Sequence, residues 1–354
     1  MIDKENTIYE IRYDFDLGGK EIVVPEGCVL DFQGGTLNNG HIFGPARVES
    51  NTSKVLFRSC YFDSDFLKTS WFENVDYSKL FSNALNNSII NIDSDITIND
   101  ICTLHEGVKM FSCKNEVKIQ NNSYFVFSEN NSFDGIRFKG NNTSNALKGK
   151  SGGLKVTNCH FYNFYAPTVI IIHYLSSDVV SYDCYIKNNL FENYGSNQEN
   201  DKVGDSIGVS RAIATNNSIQ KIYIENNTFR NQTGLEDGDA INILAESITV
   251  DSYPHENSTN NQKYGPANAF VINNTFYNIS KSPVKIMASN VIVANNNIYS
   301  FEDTRFAIAR AYRCENVIIN NNTAFTKSVG TSIALENCFN SKAYNNSVVV
   351  NESS

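Results

Sequence analysis

Short runs of alternating apolar and polar residues, each closed by a turn, recur along almost the whole chain. Lys221-Ile-Tyr-Ile, Val291-Ile-Val and Val317-Ile-Ile each lead into an asparagine pair and then into another apolar residue, a pattern that predicts strand, sharp turn and strand. The segments VTNCHF, IKNNLF, IENNTF, INNTF, VANNNI, INNNTA and YNNSVV place the first asparagine of the motif at 158, 188, 226, 273, 295, 321 and 345. The spacings are 30, 38, 47, 22, 26 and 24. The shorter of these suit a coil of three short strands and three turns, and self-similarity of this kind marks a solenoid.

Asparagine suits the corner, because it tolerates the left-handed backbone region and its amide can bond to the same amide one coil along. Upstream of the pairs lie successive copies of a second strand: Asp239-Ala-Ile-Asn-Ile-Leu, Ser282-Pro-Val-Lys-Ile-Met, Arg305-Phe-Ala-Ile-Ala-Arg and Thr331-Ser-Ile-Ala-Leu-Glu. A leucine-rich repeat lacks support, since its leucine consensus and helices are missing, and a β-sandwich does not explain asparagine pairs in one local context. The predicted fold is all-β: a right-handed parallel β-helix with three strands per coil and an asparagine ladder.

The first third divides differently. Residues 1–70 read as a β-rich segment with partial coils, its strands separated by Pro-Glu-Gly, Gly-Gly and Asn-Asn-Gly turns. Residues 71–87 read as a linker and a short helix behind an Asp76 N-cap, with Leu80, Phe81, Ala84 and Leu85 on one face. Such a helix covers the open end of a stack. The main β-helix is predicted over 88–354, lengthened by inserted loops at 194–206 and 251–266.

Composition then narrows the function. The net charge of -9 is spread along the chain without a Lys/Arg cluster, so nucleic acid is not an expected partner. No apolar run reaches the roughly 18 residues a membrane helix needs, and no membrane insertion is expected. The opening MIDKENTIYEIRYDF shows no secretory signal pattern, so export follows its removal or another route. The eight cysteines show no metal-ligand spacing and read as small core residues; Cys314 and Cys338 fall at one inward position of neighbouring coils.

The helix followed by coils ending in NNTF resembles the pectate-lyase-like β-helix superfamily over nearly the whole chain. The opening YDFDLGGKEIVVPEGCVLDFQGGTLNNGHIFG is similar to tail-spike-like β-helix proteins of gut Bacteroidales and their phages and prophages. The resemblance implies a polysaccharide partner held along the side of the helix, an extracellular, cell-surface or virion location, and a homotrimer where the chain forms a fibre.

Acidic turns before the upstream strands make the best candidate for chemistry, with Glu236, Asp237 and Asp239 as catalytic carboxylates. Glycoside hydrolysis needs two carboxyls, at about 5 to 5.5 Å for retention or about 6.5 to 9.5 Å for inversion. Leu235-Glu-Asp-Gly-Asp-Ala-Ile-Asn resembles the paired-acid strand of polygalacturonases, but the Gly-His-Gly segment of that family is missing. Asp205, Asn242, Lys285, Asp303 and Arg310 are the expected substrate-binding residues, Lys285 and Arg310 as grips for a uronate or sialate carboxylate. Tyr194, Tyr253 and Tyr264 on the insertions are candidates for stacking on sugar rings. No metal or cofactor is expected for hydrolysis; a lyase would use the acids for Ca²⁺ and Arg310 as base. His160 and His173 read as ordinary coil residues. Two alternatives stay open: Glu-Asp-Gly-Asp as a solvated turn with Asp239 bonding its own backbone, and a non-catalytic adhesin or tail component.

Overall fold

The structure, a computed structural model, describes all residues except 1, 52–54, 150–151, 166–167, 174–182, 196–204, 212–220, 234–238, 246, 250–261, 280 and 352–354. At 173, 205–211, 233, 247–249, 262–263, 301–306 and 328–329 it describes the backbone only. From residue 89 the chain winds as a parallel β-helix, right-handed as parallel crossovers are. Each coil contributes one strand to each of three faces. Face A runs from Ile96–Ile98 to Ser347–Val350, and face B from Cys102–Thr103 to 333–336. Face C is an eleven-stranded sheet from Phe66–Lys68 to Lys342–Tyr344.

Period-2 alternation sends every second side chain inward, and the register stacks like upon like. On face A, Phe138, Phe161, Phe191, Phe229 and Phe276 form one buried row with ring centroids 4.9 to 5.0 Å apart and nearly parallel planes. Each such pair contributes about 0.5–1.5 kcal/mol beyond burial.

The two asparagines of each pair divide the work. The first, at 188, 226, 273, 295, 321 and 345, and likewise Asn158 in the Asn-Cys copy, takes the left-handed conformation, with φ between 53° and 59°. The second forms the ladder in the interior: Asn189 Nδ2 donates to Asn227 Oδ1 (3.0 Å), Asn227 to Asn274 (3.1 Å), Asn274 to Asn296 (3.1 Å), Asn296 to Asn322 (2.9 Å) and Asn322 to Asn346 (2.9 Å). The ladder begins at Cys159, whose backbone N–H donates to Asn189 Oδ1 at 2.9 Å. Two further asparagine rows lie outside. Asn340, Asn316, Asn290 and Asn268 bond in sequence at 2.8 to 3.1 Å, and Asn231, Asn193 and Asn163 at 3.2 and 3.5 Å.

The capping helix is short, Tyr77–Ser82, with Asp76 accepting from the Ser78 N–H at 2.9 Å. Leu80, Phe81 and Ala84 are buried as expected, but Leu85 lies beyond the helix and is 41% exposed. The helix stands in for a neighbouring strand. Ser78 Oγ accepts the Asp100 N–H (3.1 Å) and Ser82 Oγ that of Thr103 (3.0 Å), satisfying donors of the first coil.

Residues 8–63 and Phe72–Glu73 form two smaller parallel sheets. One joins Ile8–Ile11, Val29–Phe32 and Arg47–Ser50; the other joins Phe15–Val23, Leu37–Phe43, Phe57–Asp63 and Phe72–Glu73. Six cysteines are buried and Cys338 is half-buried, in register with Cys314 through the Glu315–Phe339 bridge. Cys113 departs from the expected core role: it is exposed, in the turn after Lys109–Ser112.

Candidate functional site

The upstream strands noted in the sequence make face B. Register aligns Gly208, Asn242, Lys285 and Arg310 in one column, and Asp239 beside Ser282 in another. Asp239 begins the strand Asp239–Ala245 at a parity shared with the inward Ile241 and Ile243, and it is 3% exposed. The Ser282 hydroxyl donates to its Oδ1, and Lys285 Nζ stands 3.7 Å from its Oδ2. Arg310 is gripped bidentately by Glu336, with Nε and a terminal nitrogen each 3.1 Å from a carboxylate oxygen. Both cations therefore already hold a carboxylate, and a uronate would have to compete with those bonds.

Glu236, Asp237 and Tyr253 lie outside the described residues. Asp205 and Asp303 are described through their backbones: Asp205 pairs with Thr168 on face B, and Asp303 with Ser328. The stretches 300–305 and 326–331, which as leads into upstream strands would be turns, are parts of two long strands, Asn297–Tyr312 and Thr323–Glu336, with register shifts at 300/303 and 306/309. The insertion at 251–266 is partly regular as well. Gln262–Tyr264 pairs antiparallel with Ser247–Thr249, and the Tyr264 N–H donates to Arg313 O at 2.9 Å. Tyr264 is half-buried against the core, and burial pushes its phenol up. Tyr194, expected as a loop wall, is instead 1% exposed within the strand Leu190–Gly195.

Face A carries a second polar cluster. His160 Nε2 lies 3.1 Å from Glu192 Oε2, and a terminal nitrogen of Arg230 lies 2.7 Å from Glu192 Oε1. The Tyr162 hydroxyl donates to Glu116, the Arg137 guanidinium sits 5.5 Å over the Tyr162 ring, and the His160 ring stacks on it at 4.8 Å. Burial lowers the His160 imidazole even though Glu192 opposes it. Burial works against ionised Glu192, but Arg230 and His160 outweigh it and hold the carboxyl below the usual range. The Tyr162 phenol is pushed up to about 12 by burial and by Glu116.

The same outward column continues from Tyr162, Glu192 and Arg230 into Tyr277, Tyr299 and Phe325. The last three rings stack at 5.1 and 5.6 Å, with Tyr277 37% and Phe325 41% exposed. At about 4.8 Å per coil the column spans roughly 24 Å. His160 thus has the partner its sequence context did not reveal. The signal lay in position relative to the Asn pairs: Glu192 and Arg230 each follow the first asparagine of their pairs by four residues (188 and 192, 226 and 230). Among the described residues, no group of three or more His, Cys, Asp or Glu side chains could hold a metal ion. No family model, curated protein or solved structure matches the chain.

Proposed function

We propose that this protein is a tail-spike-like, glycan-binding β-helix that holds a bacterial cell-surface or other complex polysaccharide along its side, outside the cell or on a virion. The observation that carries the reading is the straight face A column, charged from Tyr162 to Arg230 and aromatic from Tyr277 to Phe325. A repeating polymer is the ligand that such a repeating surface fits, since each coil offers another contact at a fixed step. Arg137 and Arg230, the latter already paired with Glu192, suit sugar hydroxyls, and ring faces suit the tyrosines. Binding is favoured over hydrolysis by the state of Asp239, which is buried and held by Ser282 and Lys285. Hydrolysis would rest on Glu236 and Asp237.

The test is a polysaccharide panel read by calorimetry, with reducing-end release and unsaturated-uronate absorbance measured in parallel. Retention of one glycan, weakened at least tenfold by Arg230→Ala or Tyr299→Ala, is the expected result. Binding indifferent to both substitutions sinks the face A reading. Product release that is lost in Asp237→Asn restores the hydrolase.

A further inference from the structure

Two sheets that follow each other in the chain meet at the N-terminal end of the main stack. Arg47–Ser50 is the last strand of the three-stranded N-terminal sheet, and Phe66–Lys68 is the first strand of face C. Between them opens a cleft of about 560 Å³, within the range of small-molecule sites. It is lined from the N-terminal sheet by Asp31, Gln33, Glu49 and Asn51, and from the main stack by Lys68 and Trp71.

The polar groups are organised before any ligand arrives. Asn51 Nδ2 donates to Gln33 Oε1 at 2.6 Å, and Gln33 Nε2 donates to Asp31 Oδ2 at 2.7 Å. That chain of planar amides and a carboxylate offers donors and acceptors side by side, the arrangement that neighbouring sugar hydroxyls require. Across the cleft Trp71, half-buried and edge-on to Phe66 at 5.7 Å, supplies an aromatic surface, with Lys68 Nζ 5.6 Å from its ring.

We infer that this cleft binds one or two units of a neutral saccharide, with Asp31, Gln33 and Asn51 holding hydroxyls and Trp71 packing against a ring face. Arg47 grips Glu49, which leaves the Asp31 carboxylate against the ammonium of Lys68 and the cleft without net charge, so an uncharged sugar fits it best. A peptide strand added to an exposed edge would need pockets for alternate side chains, and the lining is mostly polar. The inference takes its ligand class from the glycan reading above but uses none of the face A residues.

Trp71 is the only tryptophan of the chain, so its emission reports this cleft alone. The experiment titrates the full chain with cellotetraose, maltotetraose, mannotetraose, galactotetraose and a tetragalacturonate, following Trp71 emission. The expected result is a saturable shift with at least one neutral tetrasaccharide, weaker by tenfold or more with the acidic one. Gln33→Ala and the near-isosteric Asp31→Asn each weaken it at least tenfold while the melting curve stays in place. An emission unmoved by all five sugars, or a titration identical in both variants, overturns the inference. Polysaccharide retention by face A, read by calorimetry with Arg230→Ala, succeeds or fails separately.

Discussion

The N-terminal unit, residues 8–63 with Phe72–Glu73, and the main stack, whose face C starts at Phe66–Lys68, are both parallel sheets wound in coils, yet they are held in register by different means. The main stack repeats one residue in one place. Its interior carries the phenylalanine row and the asparagine ladder, so each coil is bonded to the next through identical groups. A one-residue slip would turn every inward side chain outward and leave the ladder unpaired. The N-terminal unit has a mixed cluster instead, with Phe57 meeting Phe32 edge-on at 5.3 Å and stacking with Phe62 and Phe72 at 5.2 and 5.1 Å. Its polar contacts are mixed too, with Asn39 Nδ2 donating to Asp16 at 3.2 Å on the surface and His41 Nε2 2.8 Å from the buried Asp63. Uniform columns make a stack that can be extended coil by coil, whereas a mixed cluster closes on itself. One device is shared: at Gly27 and at Gly107, both with φ of 71°, a Cβ would stand 2.2 and 2.1 Å from the amide oxygens of Asn6 and Asn87 in the preceding coil. Only glycine fits beneath those asparagines.

The largest way to break the comparison is to open the phenylalanine row. Phe191→Ala removes a buried ring and both of its stacking partners, and it should destabilise the main stack by about 3–5 kcal/mol. Urea unfolding followed by far-ultraviolet circular dichroism measures it. Phe57→Ala should cost a similar amount, but in the N-terminal unit, where amide exchange in the strand Phe57–Asp63 reads it. Identical shifts of both signals in both variants would show that the two regions unfold as one.

Next comes the ladder. Asn227→Leu leaves the Asn189 donors without Asn227 Oδ1, and the Ile186 and Asn274 oxygens without the Asn227 amide. Each stranded buried group costs about 1–3 kcal/mol, so a loss of roughly 3 kcal/mol is expected. Asn226→Gly, one residue earlier, keeps the left-handed corner at φ 57° and should cost only a few tenths of a kcal/mol. Equal losses at 226 and 227 would contradict the division of work within the pair. Smaller again is the junction between the regions: Asp76→Ala removes the helix N-cap and should cost about 0.5–2 kcal/mol.

Much of this architecture was legible because the Asn pair is a two-residue signal in a constant setting. The other two asparagine rows were equally periodic but hidden. Asn268, Asn290, Asn316 and Asn340 each stand five residues before the first asparagine of a pair (273, 295, 321, 345), and Asn163, Asn193 and Asn231 stand five after one (158, 188, 226). A single residue at a fixed offset is recognisable only after the pairs have set the frame. The face A cluster was less legible still. Glu116, Arg137, His160, Glu192 and Arg230 are separated by coils of unequal length, and only strand register makes neighbours of them. Face B was readable as a set of aligned strands, but which of its charges are already engaged, as Asp239 with Ser282 and Arg310 with Glu336, depends on three-dimensional contacts that no spacing encodes.

The smallest expected effect gives the two regions opposite signs. His160 in the main stack is held below its ordinary value by burial, so as pH falls below about 6.5 the unfolded chain takes up the proton first and stability is lost. Glu192, also held low, adds a further loss as pH falls through its folded value, below the ordinary 4.5. Asp63 in the N-terminal unit behaves the other way. Burial raises its carboxyl above 3.8 although His41 Nε2, 2.8 Å away, opposes the shift; the native state therefore holds the proton more tightly, and acidification through that window adds stability. Amide exchange measured between pH 7 and pH 4 should show protection falling in the strands around 160–164 and 190–195, while the strand at 57–63 gains or holds its own. His160→Gln should remove the part of the main-stack slope that begins near pH 6.5 and leave the N-terminal response untouched. A slope unchanged in that variant would mean that the His160–Glu192 contact carries no linkage, and the contrast between the two regions would then rest on packing alone.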